Sequence, residues 1–373
     1  MEMLFRSSVW PLLGAAAATL VAVPLVRRLA VALDLFDRPD AGLKPHEKPI
    51  PYLGGVALYC GWVATAVLFC RFHPLDRQPM AWIVLAGSAS MVVGLIDDIR
   101  GLRPTSRILA QVAVAGVLLY AGIGRVVVSS LVRPFEGIMP EFVTAEPIGT
   151  VLGFVFCAAV LAGATNATNL IDGLDGLCAG VAGIAACGFL VEVWLLGEAG
   201  AISSTDSGLI VVLCVGMLGA CLAFLVFNFN PASMFMGDSG SLLLGFSVAL
   251  VIILFAEHAS WRGLSAALVC FGFPIFDTGL AVGRRWRNGK PLFIGDRSHF
   301  YDQIRDRGLT VRQTVLVCYG LGLAFAVLGA VMTRLPEVWA MLIFGAIPVV
   351  AGFACWRGGL YRVDDAAERS GPG

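Results

Sequence analysis

An all-α fold of many membrane-spanning helices is predicted by three observations. Of the 373 residues, 58% are hydrophobic and only 14% are charged, with a mean hydropathy of +0.84. So little polar surface cannot enclose a soluble core of ordinary proportions. The apolar residues fall in runs long enough to cross about 30 Å of hydrocarbon. These runs lack the ten-residue alternation of a membrane barrel, and backbone in lipid must satisfy its own hydrogen bonds, which leaves helices.

Such runs occupy 9–26, 52–70, 80–96, 108–124, 148–164, 178–197, 208–228, 241–256, 263–283, 313–332 and 337–355, about eleven spans. The first ends at Arg27 and Arg28 and reads as a spanning helix with a cytoplasmic stop rather than a cleaved signal. Alternate connections hold 19 of the 26 Lys and Arg residues, in 27–51, 100–107, 284–312 and 357–369. The positive-inside rule therefore sets the N-terminus outside and the C-terminus in the cytoplasm of a multi-pass inner (plasma) membrane protein. The outer connection 124–148 carries VVVSSLV and then Pro134, Pro140 and Pro147, predicting a short β-ribbon. The ten cysteines lie mostly inside apolar runs with no CxxC spacing, as small core residues rather than disulfides or zinc ligands. Residues 1–356 read as one transmembrane domain, with cytoplasmic loops at 33–51, 97–107, 165–177, 229–240 and 284–312. A polar cytoplasmic tail follows at 357–373.

Three aspartate cassettes sit at same-side ends of these runs: IDDIRGL at 96–102, NATNLIDGLDGL at 166–177 and NFNPASMFMGDSGS at 228–241. An ionised group costs roughly 2.5–3.5 kcal/mol at the bilayer centre, so acids at span ends face water, metal or one another. Asp97 and Asp98 close an apolar run, where the helix dipole disfavours carboxylates and something must compensate. They read either as a salt-bridge set with Arg100, Arg103 and Arg107 or as a base and metal-organising pair. Asn166, Asn169, Asp172 and Asp175 recur every three residues, which predicts one helical face of amides and carboxylates. Their oxygens suit a hard cation such as Mg²⁺; helix capping is the blander reading. Asp238 lies in a glycine-bounded turn before Ser239 and Ser241, at a helix start whose amides could approach a phosphate.

No GxxxxGK[ST] loop exists, since the three lysines, Lys44, Lys48 and Lys290, each precede proline, and no strand leads a GxGxxG turn. No nucleic-acid partner is expected. Phosphates would be held by metal, amides and arginines. The loop RRWRNGKPLFIGDRSHFYDQIRDRG, 284–308, offers Arg284, Arg285 and Arg287 as membrane anchors, and Arg297 and His299, among aromatics, as diphosphate contacts. Asp277, an acid inside an apolar run just after Pro274, is either functional or paired with an arginine.

These cassettes, from KPIPYLGG at 48–55 to DRSH at 296–299, closely resemble the polyprenyl-phosphate N-acetylhexosamine-1-phosphate transferase family, over about two-thirds of the chain. The branch that starts O-antigen, enterobacterial common antigen and teichoic-acid linkage units looks nearer than the branch making the first peptidoglycan lipid. The resemblance implies that a polyprenyl (undecaprenyl) phosphate attacks the sugar-bearing phosphorus of a UDP-N-acetylhexosamine at the cytoplasmic face. UMP would leave and a polyprenyl-diphosphate sugar would remain. By the same resemblance Asp238 and Asn169 match the Mg²⁺ site, where Mn²⁺ could substitute. Asp97 and Asp98 match the pair that positions or activates the lipid phosphate, and Asp175 with Phe235 the nucleoside pocket. Asp172 and Asn228 support that pocket, and Lys48 and His299 contact phosphate or sugar.

A phosphate monoester has its second pKa near 6, so the lipid phosphate is mostly dianionic at pH 7, and positioning and charge neutralisation should outweigh deprotonation. Many relatives carry H-x-H-H after the Asp-Arg, whereas this chain reads His299-Phe300-Tyr301-Asp302. UDP-GlcNAc is the default donor, with UDP-GalNAc or an amino-deoxy relative as alternatives. Homodimerisation, prenyl length and a one-step or covalent mechanism stay open. The rival classes are a cation-coupled transporter or lipid flippase, which would hold its acids near the midplane, and a catalytically silent scaffold.

Overall fold

Backbone that can find no water inside a bilayer must bond to itself, and the apolar runs accordingly form helices in the computed structural model, which describes residues 8–38, 49–72, 77–135, 137–289 and 299–358. In chain order these are α1 (Val9–Ala32), α2 (Gly54–Phe72), α3 (Arg77–Arg100), α4 (Pro104–Tyr120), α5 (Val127–Val132), α6 (Ile148–Leu170) and α7 (Leu177–Glu198). They continue as α8 (Ser204–Asn228), α9 (Gly237–Cys270), α10 (Gly272–Arg287), α11 (Phe300–Asp306), α12 (Val311–Met332) and α13 (Glu337–Arg357). The protein is an all-α, multi-pass membrane protein.

Among the described residues nine helices are long and apolar enough to span, against the eleven runs read from the sequence. The run 108–124 forms α4, apolar but only 17 residues long. The run 263–283 is divided between the end of α9 and the start of α10, with the helical path interrupted at Phe271. α9 is hydrophobic on every side and buried throughout its best span window, packed by α3, α6, α7 and α12, so it is the central strut of the bundle.

The expected ribbon at 124–148 is instead the short helix α5 followed by 3₁₀ turns at Arg133–Phe135 and Glu141–Val143. The buried Glu257 carboxylate accepts the N–H groups of Gly124 (3.0 Å) and Val126 (3.2 Å) ahead of that helix. This tertiary cap overrides the strand preference of Val126, Val127 and Val128. The strands among the described residues are β1 (Phe36–Asp37) and β2 (Ile50–Pro51), antiparallel, with Tyr52 bridged to Phe235 beside them. Several segments expected as loops are partly helical, because α3 runs on through Asp98 to Arg100, α6 through Leu170 and α10 through Arg287. The ends of α3, α6 and α8 and the starts of α4, α7 and α9 meet at one face of the bundle. The cysteines are free thiols.

Candidate active site

Asp97 and Asp98 leave the last turn of α3, where four carbonyls lack helical partners and negative charge is unwelcome. Each carboxylate is compensated from elsewhere. Asp97 accepts the Leu102 N–H (2.6 Å) and is ion-paired with Arg107 Nε on the first turn of α4. Asp98 accepts the N–H groups of Asp238 (2.7 Å) and Ser239 (3.0 Å), so it caps the start of α9 from another helix. The chain can fold back this tightly because Gly237 has φ +68°, and a Cβ there would stand 2.7 Å from the Asp98 carboxylate oxygens. At this helix start, where amides were expected to approach a phosphate, those of Asp238 and Ser239 are taken by Asp98.

Arg107 joins the three cassettes. Its guanidinium donates to Asn169 Oδ1 (3.2 Å) and Asp238 Oδ2 (2.8 Å) while pairing with Asp97. Asn169 Nδ2 in turn donates to Asp238 Oδ1 (2.6 Å) and Ser241 Oγ (3.0 Å). The salt-bridge reading of the first cassette is thus realised through Arg107. A cation at a helix start opposes the dipole, and that misplacement beside an Asp-Asp pair is the sequence signal for its role at the site.

The second cassette does not lie on one helical face. α6 ends at Leu170, so Asn166 and Asn169 are helical while Asp172 and Asp175 sit in the turn before α7, which starts after Gly176 at φ +82°. Asn166 turns away to the Ala162 carbonyl (2.7 Å). Asp175 accepts from Asn230 Nδ2 (2.9 Å) and the Ala232 N–H (3.0 Å). Asn228, buried, accepts the Gly176 N–H (3.1 Å) and donates to the Met234 carbonyl (2.9 Å). These bonds stitch the 171–176 turn to the loop after α8. The Asp172 side chain lies between with no hydrogen-bond partner among the described residues. Burial first, then the charges of Asp238, Asp98 and Asp175, push its carboxyl well above the usual carboxylate range.

Asp97, Asp98, Arg107, Asn169, Asp172, Asp175, Asn228, Phe235 and Asp238 line one cavity of about 600 Å³, with Tyr52 at its wall. That volume suits a ligand larger than a lone phosphate. Tyr52 donates to the Asp98 carbonyl (3.3 Å), and burial with the nearby Asp98 and Asp37 raises its phenol.

His299 is absent from that lining. It is buried, its Nδ1 2.7 Å from Asp277 Oδ2, while Asp277 Oδ1 accepts the Phe300 N–H (2.7 Å). The His299 ring stacks on Tyr301 at 5.4 Å, and the Tyr301 hydroxyl donates to the Leu170 carbonyl (3.0 Å). This set braces the 170–173 turn from behind, and Asp277 is partnered by a histidine where an arginine was the expected alternative. Lys48 and Arg297 lie outside the described residues.

Asp238, Asn169 and Asp172 present hard oxygen donors, which fit a cation such as Mg²⁺. Among the described residues no three carboxylate, imidazole or thiolate groups converge as a metal cage. Mg²⁺ characteristically takes one or two protein carboxylates and completes its shell with water and phosphate oxygens, so these donors are of a suitable kind; here the Asp238 and Asn169 oxygens are engaged by Arg107 and by the Asn169 amide.

The description "Glycosyl transferase family 4" matches residues 80–256, which contain every cavity-lining residue named above except Tyr52. The chain is 33% identical to a probable undecaprenyl-phosphate N-acetylglucosaminyl 1-phosphate transferase of Bacillus subtilis (strain 168), over 87% of this chain and 84% of the relative. It is 30% identical to a decaprenyl-phosphate N-acetylglucosaminephosphotransferase of Mycobacterium tuberculosis (strain ATCC 25618 / H37Rv), over 95% and 89%. A phospho-N-acetylmuramoyl-pentapeptide-transferase of Bacillus anthracis is also 30% identical, over 63% and 70%. With the aspartate cassettes, the helical bundle and these relatives in agreement, the chain belongs to the polyprenyl-phosphate N-acetylhexosamine-1-phosphate transferases of glycosyl transferase family 4.

Proposed function

We propose that this protein transfers N-acetylhexosamine-1-phosphate, by default GlcNAc-1-phosphate, from a UDP-sugar to a polyprenyl phosphate at the cytoplasmic face, beginning an envelope polysaccharide. The bond formed joins a lipid phosphate oxygen to the sugar-bearing phosphorus. The bond broken releases UMP, and a polyprenyl-diphosphate sugar remains. The observation that carries this reading is the gathering of the cassette aspartates, Asn169 and Arg107 around one cavity at the end of an apolar bundle. A transporter would hold its acids near the midplane, whereas these stand at the end of α3, in the turn after α6 and at the start of α9.

Asp238 and Asn169 would hold Mg²⁺, with Asp172 beside them; the cation, when bound, offsets repulsion between a dianionic nucleophile and a diphosphate. Arg107 supplies a fixed positive charge to the same cavity and is suited to bidentate phosphate oxygens. Asp97 orients that guanidinium. Asp98 fixes the start of α9 and with it the position of Asp238. Asp172, the carboxyl restrained by no bond, is one group here that can hold or release a proton. Asp175 and Phe235 shape one wall, where a uracil ring could lie against Phe235.

UMP release by the purified full-length protein tests this, with polyprenyl phosphate, Mg²⁺ or EDTA, and a panel of UDP-sugars beside Asp238→Ala. Metal-dependent release with one sugar, abolished in the variant, supports the reading and names the donor. Release with no sugar from folded, lipid-supplied protein refutes it.

A further inference from the structure

The face opposite the aspartates carries a second polar cavity, of about 570 Å³, which the proposed transfer does not use. Its walls come from α5, the kink in α9 and the start of α13. At the kink Ser260 has φ 55° and ψ −151°, a backbone conformation that residues with side chains rarely adopt. The surroundings hold it there. Ser260 Oγ donates to the Ser130 carbonyl (3.0 Å) and Glu337 Oε1 (2.8 Å). The Trp261 N–H also donates to Glu337 Oε1 (3.1 Å), and the Trp261 indole to the Leu131 carbonyl (2.7 Å). Such over-determined strain concentrates at functional sites and ligand clamps.

The charges of this cavity are unequally committed. Glu257 is bonded to the Gly124 and Val126 amides, Glu337 to the Ser260 turn, and His258 faces Asp206 at 3.5 Å. Arg133 and Arg262 line the same space, and neither has an ion-pair partner or a side-chain hydrogen bond among the described residues. Two uncommitted guanidinium forks, beside carboxylates already engaged by donors, present donor geometry that matches paired phosphate oxygens. The volume exceeds a bare ion and suits a headgroup.

We propose that this cavity binds a phosphate-bearing anion between Arg133 and Arg262, against the wall fixed by Ser260 and Glu337. The phosphate could come from an anionic phospholipid headgroup or from solution, and two arms separate these sources. In the first, the full-length protein is held in phosphatidylcholine nanodiscs containing about 30% phosphatidylglycerol, an experimental choice giving excess anionic lipid, and retained lipids are identified by native mass spectrometry. In the second, inorganic phosphate is titrated in pure phosphatidylcholine discs and thermal stability is followed. Both arms use the parent, Arg262→Gln, Arg133→Gln, Arg262→Lys and Arg107→Gln, the last to remove phosphate responses arising at the aspartate site, where Arg107 is the cation.

The expected result is a phosphatidylglycerol adduct or a phosphate-dependent rise in melting temperature that survives in Arg107→Gln. It should weaken about tenfold or more in Arg133→Gln and in Arg262→Gln, as loss of a charge-assisted bond implies, and recover partly in Arg262→Lys. UMP release stays at the parent level in the Arg133 and Arg262 variants. No response to either probe in the parent, or Arg133→Gln and Arg262→Gln variants that respond as the parent does, overturns the proposal and leaves the transfer reading untouched.

Discussion

Asp98 caps the helix that carries Asp238: its two carboxylate oxygens, on α3, accept the N–H groups of Asp238 and Ser239 at 2.7 and 3.0 Å. A helix start leaves such amides without partners and bears partial positive charge, so the carboxylate is stabilised by both. Asp98→Ala is expected to lower stability by roughly 1–2 kcal/mol, the usual worth of a cap. Asp98→Asn keeps one acceptor and should recover about half of that. Thermal melts of detergent-solubilised protein, read beside UMP release, check this. If the alanine variant melts with the parent yet is inactive, Asp98 acts in chemistry and not as a cap.

Arg107 is the cation that keeps Asp97, Asp238 and Asn169 together. Arg107→Ala leaves neighbouring carboxylates unneutralised and removes a fixed charge from the phosphate cavity. UMP release is expected to fall about 10²-fold or more, the scale of losing one preorganised electrostatic group. Arg107→Lys restores the charge without the fork, so it should recover only part of the rate. Steady-state kinetics with saturating Mg²⁺ decides it; a lysine variant equal to the parent would show that charge alone suffices.

The class of fold was legible because hydropathy is additive along the chain, and the cassettes because carboxylates are rare among apolar runs. What sequence could not supply was partnership. Regular spacing put Asn169 and Asp172 on one helix, yet α6 stops at Leu170, ahead of Gly173 and Gly176, and Asp172 falls in the turn that follows. Nothing local said that Asp98 would cap a helix 140 residues away, or that Arg107 would be chosen over Arg100 and Arg103. His299 read as a phosphate contact because it sits in a basic loop, but its environment is set by Asp277 on α10, a relation invisible before the helices pack.

Gly94 on α3 lies against the start of α9, where a Cβ would stand 2.6 Å from the Asp238 carbonyl carbon and from Ser239 Cα. Backbone atoms cannot rotate aside as a side chain could. Gly94→Ala is therefore expected to push α3 from α9, costing about 1–3 kcal/mol as other overpacking changes do, and to reduce UMP release by displacing Asp238. Melting temperature and rate should fall together; an active, parent-like variant would show that the two helices part without consequence for the site.

Asp277 accepts from both His299 and the Phe300 N–H in a fully buried setting. Asp277→Ala leaves these groups without their partner and is expected to cost about 3 kcal/mol. Because His299 and Tyr301 reach the site through the Leu170 carbonyl, the turn holding Asp172 should loosen. The KM for the UDP-sugar should then rise in Asp277→Ala and in His299→Ala alike. If His299 instead touches the sugar directly, His299→Ala alters donor preference while Asp277→Asn leaves it unchanged, which the UDP-sugar panel detects.

Asp172 is raised well above the usual carboxylate value, chiefly by burial and then by Asp238, Asp98 and Asp175. A raised carboxyl binds its proton more tightly in the folded chain than in the unfolded one, whose value is near 3.9. Its contribution to stability is therefore fully present below about pH 3.9 and is lost as pH rises through the folded value. Asp172→Asn mimics the protonated carboxyl and should remove this slope. Above pH 7 the variant is expected to melt higher than the parent, and the gap should close on acidification. Activity should move oppositely: if the parent needs the ionised form, its rate climbs with pH, whereas the variant stays inactive throughout. Melting curves and UMP release from about pH 5 to 9, a range spanning physiological titration, test both halves. A parent whose stability does not fall relative to Asp172→Asn with rising pH would show that Asp172 is already ionised, its charge balanced by Arg107 or a bound cation.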